Sequence, residues 1–214
     1  MTSALSQIRQ STSPRTARWA KLSIGAIGMA LGAGVGIIAL GSGSGLIALP
    51  YEMFVLDQRV PVVFRLHMLS SALALLLLPL VIGFRHRPSV HRKLGRVLGF
   101  FVVIGALTAL PVAVLSHSTF AARAGFFVQG LVWLALLTAG LMAIRRRDRG
   151  THARFMVAMA AVTTGAVWFR LLTGAAIMLK LPFEESYVLA SWLGWLIPLT
   201  IVTRWPSVVP ALRT

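Results

Sequence analysis

Six long apolar runs separated by short polar segments set the pattern of this chain, falling near residues 22–48, 61–84, 97–117, 124–144, 155–179 and 187–203. Each approaches the length a helix needs to cross a hydrocarbon core, roughly 20 residues at 1.5 Å apiece. The pattern therefore predicts an all-α polytopic membrane bundle of six transmembrane helices. It places a six-span membrane domain over 22–204, a basic N-terminal tail over 1–21 and a short C-terminal tail over 205–214. The tail MTSALSQIRQSTSPRTARWAK carries no apolar stripe and is expected to be mobile. The first run is too long for a signal-peptide core and reads as a retained anchor. It also places Gly28, Gly32 and Gly36 at four-residue spacing, a stripe that lets a partner helix approach closely in lipid.

Composition agrees with the pattern. Hydrophobic residues make up 57% of the chain and charged residues only 12%, more apolar surface than one soluble domain of this length can hide. The formal net charge of +16 would suggest nucleic acid in a soluble protein. Here the cations fall between apolar spans, so membrane topology and membrane lipids account for them and no nucleic-acid partner is expected. The head, the 85–96 segment, the 145–154 segment and the tail hold 4, 5, 5 and 2 Lys or Arg, whereas the alternate loops hold only Arg59, Arg65, Arg123 and Lys180. Because cations near span ends stay on the cytoplasmic side, both termini are expected to be cytoplasmic.

Scarce acids limit the chemistry. No Asp or Glu falls within the six runs, and Asp148 alone lies on the cation-rich side. Paired-carboxylate hydrolysis, carboxylate metal sites and carboxylate proton relays therefore lack their residues. There is no Cys, hence no thiolate nucleophile or disulfide. No phosphate-binding glycine loop, Gly-x-Ser-x-Gly elbow or His-Glu-x-x-His motif occurs. Catalytic residues are not identified, no metal is expected, and a non-catalytic protein is the simpler expectation.

The remaining polar groups sort by depth. His67 lies 18 residues before Arg85, His117 lies 21 after Arg96, and Arg170 lies 16 after Arg154. At 1.5 Å per residue these are roughly 27, 31 and 24 Å from the cytoplasmic boundary, all in the outer layer. With Trp192 and Trp195 of the final run they define a candidate outer polar pocket, in which Arg170 would hold an acid from Asp57, Glu184 or Glu185, or an anionic ligand. His91, Arg92, Arg96, His152 and Arg154 belong instead to the cytoplasmic rim. There they open the third and fifth runs, so cationic side chains join helix N-termini in a candidate anion cradle. Topology alone would also account for those cations. Two histidine pairs at two depths raise an alternative, a b-type haem electron carrier with His67, His117, His91 and His152 as axial ligands. The expectation set against it is that all four histidines lie at or beyond span ends.

Several stretches together resemble one bacterial membrane family. HRKLGR at 91–96, HARFM at 152–156, Phe169–Arg170 and WLGW at 192–195 are similar to the ordered motifs of the family catalogued as domain of unknown function twenty-three-zero-six, over about residues 64–204. Ala153, Phe155, Val81 and Pro198 depart from its usual Arg, Trp, Gln and Asn. The resemblance implies a multi-pass protein of the bacterial cytoplasmic membrane and singles out those residues without implying a reaction. Combined with the residue reading, it leads to an expected accessory or binding protein for an anionic lipid or small amphiphile, as a subunit or a small transporter.

Overall fold

A computed structural model of the chain describes residues 14–205, with side chains from residue 26. The expected C-terminal tail, apart from Trp205, and residues 1–13 of the expected N-terminal tail lie outside the described residues. The chain divides into an N-terminal unit ending at Leu31 and a main unit from Gly32 onward. Among the described residues all regular structure is helical: α1 (Pro14–Gly43), α2 (Tyr51–Arg59), α3 (Pro61–Gly83), α4 (Pro88–Leu115), α5 (Phe120–Arg145), α6 (Arg149–Thr163), α7 (Gly165–Met178) and α8 (Phe183–Arg204). Six stretches are long and apolar enough to cross a membrane: Ala26–Gly43, Pro61–His86, Pro88–Leu115, Phe120–Arg145, Arg149–Met178 and Phe183–Arg204. This is the six-span bundle expected from the hydrophobic pattern.

Local chemistry explains the helix boundaries. Pro61 and Pro88 stand in the first turns of α3 and α4, where a missing N–H costs nothing. Thr119 caps α5 through Ala122 N–H, and Asp148 caps α6, its Oδ1 accepting from Thr151 N–H at 2.9 Å. Arg59 and Arg123 reach back to the last carbonyls of α4, at Leu115 and at Ala113 and Val114. That bond pattern gives two cations of the cation-poor side a structural use at a helix C-terminus.

Three features depart from the six-run reading. Residues 51–59 form a helix, α2, where a loop was expected. The fifth span is two helices, α6 and α7, interrupted at Thr164, whose hydroxyl bonds to Ala161 carbonyl at 2.7 Å. Thr and Ser satisfy backbone groups freed by such a break within a bundle. α1 starts at Pro14, ahead of the first apolar run, so residues 14–21 continue the helix rather than forming a tail.

Within the main unit α3 packs on α4, α4 on α5, α5 on α6, and α7 on α8, with α8 also against α5 and α6. Ala74, Val102, Ala106, Trp133, Met159, Val162 and Trp195 form the core. Small residues permit the close crossings: a Cβ on Gly105 would stand 2.9 Å from Ser71 Oγ and 3.0 Å from the Trp133 ring. In lipid, where hydrophobicity does not drive helix association, such contacts carry the packing. Large apolar side chains such as Phe100, Leu107 and Ile177 point outward, as a hydrocarbon solvent allows. The glycine stripe of α1 is not uniform in its surroundings. Gly36 is buried against Leu76 of α3, so it packs within the chain, while a Cβ on Gly28 or on Gly32 meets nothing within 4 Å.

Candidate functional site

Helices α2 to α8 all contribute to the wall of a cavity of about 260 Å³ at the end of the bundle where α2 lies. His67, His117 and Arg170, assigned to one outer layer from the sequence, all line it. His67 sits in the second turn of α3, and its Nδ1 lies 3.0 Å from the carbonyl oxygen of Gly105 on α4. A carbonyl only accepts, so Nδ1 carries the proton and Nε2 is the bare nitrogen. Among the described residues Nε2 has no partner, and no unpaired polar side-chain atom is fully buried. The bare nitrogen therefore opens to the cavity.

Arg170 projects from α7 and donates one bond, from Nη1 to the Ala166 carbonyl at 2.9 Å in its own helix. Among the described residues it forms no ion pair. The expected partners are occupied or elsewhere. Asp57 is buried and bound bidentately by Arg65, at 2.9 and 2.8 Å. That contact holds its carboxyl below the ordinary range, against the opposing effect of burial. Glu184 and Glu185 occupy the exposed first turn of α8, inside the sixth span rather than in a loop, and suit its N-terminus. The acid on the cavity wall is Glu52, in the first turn of α2.

Trp192 and Trp195 do not line the cavity. Their indole N–H groups bind the carbonyls of Ala121 and Ser191, both at 3.0 Å, and Trp195 is 3% exposed in the core. Indole has a single donor, so once it serves the backbone the ring acts as packing. Phe169, which the family resemblance singled out, is on the wall, and residues that the sequence reading did not select complete it: Gln129, Trp133, Thr163, Phe126 and Tyr187 among them. Gln129 donates to the Val162 carbonyl at 3.2 Å, and the Trp133 indole to Thr163 Oγ1 at 2.9 Å. Phe126, Phe169 and Tyr187 meet edge to face, with ring centroids 5.1 to 5.9 Å apart. An amide within an apolar span was the available signal for Gln129.

The rim residues lie at the opposite ends of the same helices. His91 in the first turn of α4 places Nδ1 3.0 Å from the Val81 carbonyl on α3. His152 in the first turn of α6 places Nδ1 2.9 Å from the Gly140 carbonyl on α5. Arg92, Arg96 and Arg154 are exposed, and among the described residues no hydrogen bond joins the α4 set to the α6 set. α4 packs on α3 and α5, and α6 on α5 and α8. His91 and His152 thus sit at the ends of their spans, as expected, whereas His67 lies in the second turn of α3, further inside its span than expected. His117 alone lies past its helix, exposed, with Nε2 3.5 Å from Arg59 Nη1.

Six stretches long and apolar enough to cross a membrane define a multi-pass helical membrane protein. The chain belongs to the family described as predicted membrane protein DUF2306, which it matches over residues 64–205. The match covers the walls contributed by α3 to α8 and leaves out α1 and α2. No curated protein and no solved structure matches the chain.

Proposed function

We propose that this protein is a non-catalytic binding protein of the bacterial cytoplasmic membrane, with both termini cytoplasmic, that captures a small anionic amphiphile in the cavity from the outer side. The observation that carries this reading is Arg170, an intramembrane guanidinium on the wall of an otherwise largely apolar cavity, with no carboxylate bound to it among the described residues. An intramembrane cation costs several kcal/mol unless it meets water or a counter-charge, and an anionic head group supplies the second. Aromatic walls at Phe126, Phe169 and Tyr187 suit the apolar part. Native mass spectrometry of wild-type and Arg170→Leu protein purified from the same cells tests it. An acidic small molecule retained by the wild type and lost from a folded variant is the expected result. Identical spectra with a functional, folded variant would remove Arg170 from the site.

One observation favours a second reading, the b-type haem carrier. In His67, His91 and His152 alike, Nδ1–H is held by a backbone carbonyl of a neighbouring helix, leaving Nε2 as the bare nitrogen, which is the arrangement metal-ligating imidazoles use. A red preparation whose spectrum shifts on dithionite reduction would establish this reading in place of the first.

A further inference from the structure

Resting on the anionic-amphiphile reading, we infer that the cavity takes a short-chain or single-ring organic acid, bound apolar end inward, with its carboxyl group shared between Arg170 and His67 Nε2 and one proton taken up as the anion binds. The argument begins with depth. At 1.5 Å per residue, His67 lies roughly 9 Å below the outer end of α3 and Arg170 roughly 12 Å below that of α7. Trp133 and Thr163 lie deeper, roughly 20 and 22 Å below the outer ends of their spans. The polar groups therefore form a waist, with a pocket continuing beneath them.

That lower pocket offers no charge. The Thr163 hydroxyl already accepts from the Trp133 indole and donates to the Met159 carbonyl, each at 2.9 Å. An apolar group is the occupant such walls favour. Above the waist the mouth is polar, with Glu52, Ser116, His117 and Ser118 on its walls. A two-chain lipid held by its head group at the waist would have to lead its tails past these groups. A ring or short chain directed downward meets Val162 and the Trp133 ring beside the uncharged Ser71, Gln129 and Thr163 side chains, with no charged group, and about 260 Å³ is small for a ligand site.

Proton uptake follows from hydrogen-bond chemistry. Arg170 has donors only and suits a carboxylate oxygen. Neutral His67 presents a lone pair at Nε2, because its other nitrogen is committed to Gly105. A carboxylate and a lone pair cannot share a contact without a proton between them. An anion arriving from neutral solution therefore binds together with one proton, which sits on Nε2 or stays on the carboxyl oxygen, and no other bond changes. Affinity should then fall about tenfold per pH unit once free acid and free imidazole are both deprotonated. The other titratable groups facing the cavity are Glu52 from α2, His117 beyond α4 and Tyr187 from α8, with Arg170 from α7; α5 contributes the uncharged Gln129.

The test is isothermal calorimetry of sodium benzoate, hexanoate and acetate against the full chain in phosphatidylcholine nanodiscs, at pH 7 and 8, in two buffers of different protonation heat. Benzoate or hexanoate binding at least tenfold tighter than acetate, one proton taken up, and a tenfold loss from pH 7 to 8 are expected. Arg170→Gln should weaken benzoate at least tenfold. His67→Gln, whose amide is a permanent donor, should keep binding and lose the pH dependence. Glu52→Gln and His117→Gln should retain both. Binding without proton uptake, or a pH slope that disappears with Glu52→Gln or His117→Gln, would overturn the assignment to His67. No benzoate or hexanoate binding, while an acidic species still co-purifies in an Arg170-dependent way, would overturn this inference and leave the broader reading standing.

Discussion

The Asp57–Arg65 pair fastens α2 over the cavity, and removing either partner should have unequal effects. Asp57 has a side chain 3% exposed, whereas that of Arg65 is 51% exposed, and two N–H···O bonds of 2.9 and 2.8 Å join them. Asp57→Asn leaves Arg65 able to turn to water and keeps one oxygen as its acceptor. Its cost should be about 1 kcal/mol, reduced by solvent screening of the half-exposed guanidinium. Arg65→Leu instead strands a covered carboxylate without its donors, the larger loss of the two. Hydrogen exchange of residues 51–59 in detergent-solubilised protein reads the difference as local opening. About a fivefold rise is expected for Asp57→Asn and a clearly larger one for Arg65→Leu. The pH dependence has a definite sign. Arg65 depresses the Asp57 carboxyl below its ordinary 3.8, so the fastening is fully present above that value and is lost as pH falls through the lower folded-state value. Without Arg65, burial alone acts on the carboxyl, and opening should begin at higher pH. Equal exchange in both variants, or opening at the same pH with and without Arg65, would refute the claim that this pair holds α2.

Two further outcomes are expected. Gly105→Ala should lower thermal stability by about 1 to 3 kcal/mol, measured as loss of the helical signal on heating, because the new methyl group meets the Trp133 ring at 3.0 Å. For orientation, single cysteines at Ser118 and Ser89 in this cysteine-free chain should show position 118 labelled by an impermeant thiol reagent on intact cells and position 89 protected. The reverse labelling would invert the topology and turn the cavity toward the cytoplasm.

Much of the architecture was legible in the residues taken one after another. Six apolar runs of spanning length could only become helices, because a chain in lipid must satisfy its backbone bonds internally, and run length alone located five of them and most of α1. A fixed rise per residue carried His67, His117 and Arg170 toward one end of the bundle, and all three line the cavity, with His117 beyond the end of α4. Which direction a side chain faces was not legible. That depends on helix rotation, which small-residue crossings at Gly105, Gly125 and Gly194 set through contacts between distant parts of the chain. Trp192 and Trp195 share the final span with residues of the right depth, yet their rotation turns them to backbone carbonyls and the core. Gln129, Thr163 and Tyr187 join the cavity only once α5, α6 and α8 meet. Asp57 was available as a counter-ion by sequence until the turn between α2 and α3 delivered it to Arg65. Hydrophobic period and length are local properties, while partner choice among scarce polar groups is decided by which atoms the packed helices bring within about 3 Å.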